Sequence, residues 1–137
     1  MVTIIDATGA NLGRLSTHIA KRILDGEEIA VINSEKAIIS GKKRAIKEKY
    51  KEKRRVGTYR KGPFFPRESD KIFKRTVRGM LPYQKPHGRE AFKRLKCYID
   101  IPDEFKDKKF EKIKEVEKNP TDYITIKEIS KSLGAKV

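Results

Sequence analysis

Cysteine, histidine and the side-chain amides are scarce in this chain, and each scarcity removes a class of chemistry. One cysteine, Cys97, among 137 residues allows no internal disulfide and no cysteine-rich zinc site. Within the alternating run "KCYIDI" it reads as a small buried apolar residue rather than a reactive thiol. The two histidines, His18 and His87, stand far apart in sequence. Ser16 lies two residues from His18 and so falls on another helix face. No carboxylate pair sits in an apolar setting, and no Cys/His/Asp cluster has metal-ligand spacing. Enzyme activity, a metal and a cofactor are therefore not expected. Gln84 is the one glutamine, and Asn11, Asn33 and Asn119 are the three asparagines, a thermolabile-poor bias of the kind found in hyperthermophiles. No apolar run approaches the roughly 18 residues of a membrane span, and no secretory leader is visible. The chain reads as cytoplasmic, with no membrane partner.

Nucleotide-binding spacing is missing too. Gly9 and Gly13 bracket the turn "ATGANLGR" between a strand and a helix, but Arg14–Leu15 stands where a P-loop needs Lys then Ser or Thr. No GxGxxG occurs. The glycines read as tight-turn packing, and neither a nucleotide nor any other small-molecule substrate is expected. A small transferase using this loop remains the least supported function class.

What the chain has is positive charge. Lys and Arg number 34 against 19 Asp and Glu, a formal net charge of +15, while hydrophobic residues make up only 36%. A surface so basic suits a polyanion, because each cation that meets a phosphate releases a condensed counterion. The charge is concentrated: residues 1–102 carry a net +14 and residues 103–137 only +1. The C-terminal segment thus reads as a solvated or protein-facing appendage. Residues 42–61 hold eleven cations, among them Lys42, Lys43, Arg44, Lys47, Arg54, Arg55, Arg60 and Lys61, against Glu48 and Glu52. Residues 71–96 hold nine, among them Arg75, Arg78, Lys85, Arg89, Lys93 and Arg94, against Glu90 alone. Such crowding costs a free protein stability by self-repulsion, which nucleic-acid phosphates relieve. Tyr50, Tyr59, Phe64, Phe65 and Tyr83 are interleaved and divide between core packing and base stacking.

Residue patterning predicts an α/β domain. "VTIID" (2–6) and "EIAVIN" (28–33) read as strands around a helix whose apolar face is Leu12, Leu15, Ile19, Ile23 and Leu24. This βαβ unit implies a parallel sheet. "KAIIS" (36–40) is a third strand or the approach to a helix over 41–54 anchored by Ala45, Ile46 and Tyr50. Residues 56–67 form a loop. A helix over 70–80 buries Ile72, Phe73, Val77 and Met80 or Leu81 and stops at Pro82. A rigid turn, a helical turn or two in "REAFKRL" and a last core strand "KCYIDI" follow. Beyond them "DEFKDKKFEKIKEVEK" reads as a charged helix, and "TIKEISKSLG" as a short helix with Thr125 as N-cap and Gly134 past its end. The expected architecture is one three-layer domain, a small and mostly parallel central sheet flanked by helices, over residues 1–102. A charged helical C-terminal extension spans 103–137.

RNA is favoured over DNA, since no helix-turn-helix with a reading helix, zinc finger or basic zipper is present, and stiff Arg-bearing loops suit irregular folded RNA. At "VRGMLPYQKPHGREAFKRLKCY" (77–98) the chain resembles the large-subunit ribosomal protein family numbered thirteen, in its archaeal and eukaryotic form. "DATGANLGRLSTHIAK" (6–21), "VINSEKAIISG" (31–41) and "GPFFPR" (62–67) match further segments in the same order. Ser16 and Thr17 depart, standing where many members have Ala and Ser. The resemblance covers roughly 2–102. It implies an α/β domain on large-subunit ribosomal RNA beside neighbouring ribosomal proteins, a structural role early in subunit assembly, no catalysis and no cofactor. It also implies RNA contacts at Arg14, Arg60, Lys61, Arg67, Arg75, Arg78, Lys85, Arg89 and Arg94. The strongest segment is Arg78–Gly79–Met80, where glycine admits close backbone approach. The alternative is a regulatory module binding RNA or DNA outside the ribosome.

Overall fold

In a computed structural model of the chain, residues 2–55, 65–113 and 121–135 are described. The first βαβ unit forms as its pattern predicts. Strand β1 (Val2–Asp6) leads into α1 (Leu12–Leu24), and β2 (Glu28–Ile32) returns parallel to β1, with Ile4 opposite Ala30 and Ile5 opposite Val31. Helix α1 begins where the Asn11 carboxamide accepts the Gly13 and Arg14 N–H groups, and it buries Leu12, Leu15, Ser16, Ile19, Ala20 and Ile23. It ends at Asp25, where Gly26 takes a φ of +101° that favours glycine.

Strand β4 (Leu95–Cys97) joins the other edge of β2, also parallel, so the sheet order is β1-β2-β4. Side-chain alternation divides the sheet. Ile5, Ile29, Val31 and Leu95 face the main core with α1, α3 (Ser69–Arg78) and α4 (Pro86–Lys93). Ile4, Ala30 and Ile32 face a smaller cluster closed by Phe105, Tyr98 and Ile101. A second, two-stranded antiparallel sheet pairs β3 (Ile38–Ser40) with β5 (Tyr123–Thr125), and α2 (Lys43–Arg55) and α5 (Ile126–Ser132) complete the helices.

Several expectations change. Ala45 is exposed, so α2 is anchored by Ile46 and Tyr50 alone. Helix α3 ends at Arg78 rather than at Pro82; Leu81 is buried there and Met80 is 41% exposed. Helix α4 starts three residues earlier than "REAFKRL", because Pro86 serves as a first-turn residue, and His87 therefore lies in the helix rather than in a turn. The last core strand is cut to 95–97, since the chain turns at Asp100 with a φ of +56°.

The largest correction concerns the C-terminal segment. Residues 103–113 do not form a charged helix, and residues 114–120 lie outside those described. Asp103–Phe105 is a single 3-10 turn that drops Phe105 onto the small face of the sheet. Glu111 then lies extended along β1: the Asp6 N–H donates to its carbonyl at 3.0 Å and its own N–H donates to the Ile4 carbonyl at 2.7 Å. This bridge covers an otherwise open sheet edge, and an extended backbone there excludes the helix. Nor is the end of the chain a solvated appendage, because Ile124, Ile126 and Ile129 are fully buried in the main core. Helix α5 itself begins as expected, with the Glu128 N–H donating to the Thr125 hydroxyl at 3.3 Å, and Gly134 follows it with a φ of +93°.

Candidate nucleic-acid interface

Helix α2 carries most of the first basic stretch and α3 the start of the second, and Phe65 brings these two helices together. Its ring packs edge-on against Tyr50 of α2 at 5.6 Å. Lys53 sits over both rings, 4.6 Å from Tyr50 and 5.2 Å from Phe65, while the Arg75 guanidinium of α3 lies 5.8 Å from Phe65. The backbone on either side is tied down. An N–H of Arg54 donates to the Phe65 carbonyl, and the Ser130 hydroxyl of α5 donates to the Arg67 carbonyl at 2.6 Å. Two stretches separated in sequence therefore meet on one aromatic hinge.

On α3, Lys71, Lys74, Arg75 and Arg78 line a concavity of about 200 Å3 closed by Pro66 and Phe92. Arg78 stacks over Tyr83 at 4.1 Å, Lys74 lies 4.8 Å over Phe92, and the two rings meet edge to face at 5.5 Å. Such contacts hold a cation in place without cancelling its charge. Burial and crowding of like charge act together on these cations. Burial and then nearby Arg78 pull Arg75 below the usual guanidinium range. Burial and then Arg67 do the same to Arg54, and burial and then Lys49 lower Lys53. In each case a neighbouring cation adds to the cost of desolvation.

Of the residues expected to contact RNA, Lys42, Arg44, Arg55, Arg67, Lys85, Arg89 and Lys93 are exposed, Lys47 is half-buried, and Arg14 is exposed on the first turn of α1. One turn on from Arg14, the Thr17 hydroxyl meets the Met80 sulfur at 3.6 Å, which sets that face of α1 beside Arg78–Gly79–Met80. Among the described residues Lys43 is the one expected contact with a carboxylate partner, Glu128 at 3.5 Å, and both side chains are exposed. Arg60 and Lys61 lie outside the described residues, as do Tyr59 and Phe64.

Not all of the second stretch serves one face. Arg94 donates to the Ile23 carbonyl at 2.8 Å, a contact to the last turn of α1. Lys93, Arg94 and Lys96 line a separate groove with Lys108 at the start of the sheet. At Gly79 the fold itself makes no demand for glycine. Its φ is −65°, ordinary helical backbone, and a Cβ there would meet only Thr76 O at 3.6 Å and Arg75 O at 3.9 Å.

Two residues of this surface escaped sequence reasoning. Phe92, read only as part of a helical turn, is the ring that Tyr83 and Lys74 pack on. Gly88 is the other: a Cβ there would stand 2.0 Å from Pro82 O, so only glycine lets α4 lie against the 82–83 backbone. The nearby sequence "PHG" was a signal, since glycine inside a helix costs about 1 kcal/mol relative to Ala unless packing requires it.

The N-terminus of α1 is capped by its own chain. Asn11 already accepts the first free N–H groups, at 3.2 Å from Gly13 and 3.5 Å from Arg14, and Gly9 has a φ of +71° as a turn requires. Among the described residues no group of three or more His, Cys, Asp or Glu could hold a metal, and no helix is long and apolar enough to cross a membrane. Cys97 is half-buried against the main core rather than fully buried, and desolvation there pushes its thiol pKa up.

Comparison with known proteins agrees with this picture. A family model described as Ribosomal protein L13 matches residues 1–104. The chain is 52% identical over 136 residues to the large ribosomal subunit protein uL13 of Archaeoglobus fulgidus, covering 96% of this chain and 87% of that protein. It is 50% identical over 139 residues to the protein of the same name from Methanocaldococcus jannaschii, covering 98% and 99%, and 45% identical over 138 residues to that of Methanococcoides burtonii, covering 98% and 99%. A four-motif resemblance, a parallel α/β core and near-full-length identity thus converge, and the chain belongs to the ribosomal protein L13 family, whose members are structural proteins and not enzymes.

Proposed function

We propose that the chain is a structural constituent of the large ribosomal subunit that binds and organises ribosomal RNA, acts early in subunit assembly and works in the cytoplasm beside other large-subunit proteins. The relatives it matches are named as proteins of that subunit. The observation that carries the RNA reading is the junction at Phe65, where Lys53 and Arg75 from separate stretches share one ring and cations outnumber nearby carboxylates. A surface of this kind neutralises phosphates where RNA segments converge and so fixes their mutual orientation. Residues 1–102 supply most of that charge, and residues 103–137 serve as an extension that brackets the fold. Arg14, Lys42, Lys43, Arg44, Lys47, Arg54, Arg55, Arg67, Arg75, Arg78, Lys85, Arg89 and Lys93 are the proposed contacts, with Arg60 and Lys61. Arg94 joins them through the donors that Ile23 leaves unused.

Sedimentation tests the reading. The protein should remain with large subunits through a moderate-salt wash. Recovery only among free proteins would refute it and favour a regulatory nucleic-acid-binding module outside the ribosome.

A further inference from the structure

Glu90 is the single acidic side chain among the nine cations of residues 71–96. On a surface that collects phosphates a carboxylate repels the backbone it is meant to bind. Glu90 is exposed on α4, and among the described residues no ion pair with Arg89, Lys93 or Arg94 neutralises it. Its surroundings are unlike the cationic concavity on α3. Tyr83, Pro86 and Phe92 form apolar walls of a second concavity of about 250 Å3, with Arg89, Glu90 and Lys93 at its rim. That volume is below the roughly 300–1,000 Å3 of drug-sized pockets and suits a small planar group. Phe92 lines both concavities, so the two adjoin at one ring.

We propose that this concavity takes one unpaired RNA base, guanine in preference to the others, while the cations of the adjoining concavity take a neighbouring phosphate. The proposal rests on the RNA reading above and gives it a base-specific element. Stacking is prepared in advance: Arg78 over Tyr83 at 4.1 Å and Phe92 at 5.5 Å, nearly perpendicular to it, fix the Tyr83 ring before any ligand arrives. Flat apolar walls accept any base, so the choice among bases falls to Glu90. A carboxylate only accepts hydrogen bonds. Guanine presents two neighbouring donors on its Watson–Crick edge, N1–H and the N2 amino group, and matches both carboxylate oxygens. Adenine and cytosine each offer one amino donor beside an acceptor. Uracil offers a single N–H flanked by two carbonyls that the carboxylate repels. Arg89 and Lys93, one helical turn apart, stand where the phosphates on either side of the held nucleotide would pass.

The test uses the full chain and five RNAs, read by fluorescence anisotropy. Four are identical hairpins that differ only in one unpaired residue, G, A, C or U, and the fifth is the closed duplex. The G hairpin should bind roughly tenfold tighter than the U hairpin, the scale of one bidentate base contact. Glu90→Gln should reduce that advantage to about twofold or less and raise the A hairpin, because a carboxamide offers one donor and one acceptor. Tyr83→Leu, checked for an unchanged melt, should weaken all four hairpins by about tenfold and spare the duplex. Equal binding of the four hairpins, or a guanine preference that survives Glu90→Gln, would overturn the base pocket and leave the RNA reading standing. Failure to bind any of the five at low salt would overturn the RNA reading itself.

Discussion

Replacing Gly88 by alanine puts a methyl group where the 82–83 backbone already lies. The added Cβ would stand 2.0 Å from Pro82 O, 2.4 Å from Pro82 C and 3.0 Å from Tyr83 N. None of these atoms belongs to a flexible side chain, so α4 must move away from the turn by more than an ångström or the turn must open. Helix propensity alone would favour alanine by about 1 kcal/mol. Forcing extra volume into a packed site costs about 1–3 kcal/mol and sometimes more, and here the overlap is with backbone, at the upper end of that range. We expect a net loss of about 2 kcal/mol, which for a chain of 137 residues lowers the melting temperature by roughly 7 °C. Tyr83 shifts with the turn, so RNA affinity should fall as well. Gly79→Ala is the control. Its Cβ meets nothing closer than 3.6 Å at helical φ, so stability should stay within about 1 kcal/mol of the parent. If RNA backbone closes on that glycine, affinity alone drops. Thermal and urea unfolding followed by circular dichroism measures both variants. A Gly88→Ala protein as stable as the parent would refute the reasoning, since it would mean that the contact between α4 and Pro82 yields at no cost.

Two further perturbations test the edges of this account. Burial on its own would raise the pKa of Asp6, but the Thr8 N–H and hydroxyl and the Asn33 amide that donate to it, with Lys112 nearby, hold its carboxyl below the ordinary 3.8. A lowered folded-state pKa gives stability that is complete above about pH 4 and fades as pH falls through the folded value. Asp6→Asn should therefore cost about 1 kcal/mol at pH 7, and urea unfolding at pH 3 should show the gap between the two proteins narrowing; a constant gap would refute the assignment. Arg55→Ala, at an exposed site on α2, should lower the slope of log affinity against log salt by roughly 0.7–0.9 if it meets one phosphate, and an unchanged slope in anisotropy titrations would place Arg55 in solvent.

The first βαβ unit was legible because local signals agreed with the fold: period 3.6 in α1, apolar runs in β1 and β2, and Gly26 at the stop. Legibility failed where distant residues decide. Nothing near Ile38–Ser40 names Tyr123–Thr125 as its partner. The composition of 103–113 favours a helix, yet Phe105 is drawn to the free face of the sheet and Glu111 to its free edge, and tertiary demand overrides a weak local preference. The site followed the same rule. Its cations stood out by charge alone, but their meeting at Phe65, and the second ring at Phe92, depend on how α2, α3 and α4 pack. Arg94 shows the converse. Its charge placed it with the binding residues, and only the Ile23 carbonyl beside it reveals a structural duty.

Two ways of holding a guanidinium coexist in this molecule, and the difference between them marks where a partner belongs. Arg22 is clamped by Glu27 at 2.6 Å and Glu111 at 3.0 Å, and those carboxylates raise its pKa well above the ordinary arginine value by hydrogen bonding. Its charge is cancelled and its donors are engaged, so Arg22 ties the C-terminal segment to α1 and has little left for a ligand. Arg78, Lys74 and Lys53 are held by aromatic faces instead. A ring fixes position but brings no negative charge and leaves the N–H groups free to donate outward. Cations fixed in this way are ordered before an anion arrives, so less side-chain entropy is lost on binding, while their mutual repulsion persists until that anion comes. The free protein thus carries an electrostatic cost that a polyanion on this face would relieve. On the proposed RNA reading, the same argument accounts for the scarcity of carboxylates in 71–96 and assigns Glu90, the one exception, a contact other than phosphate.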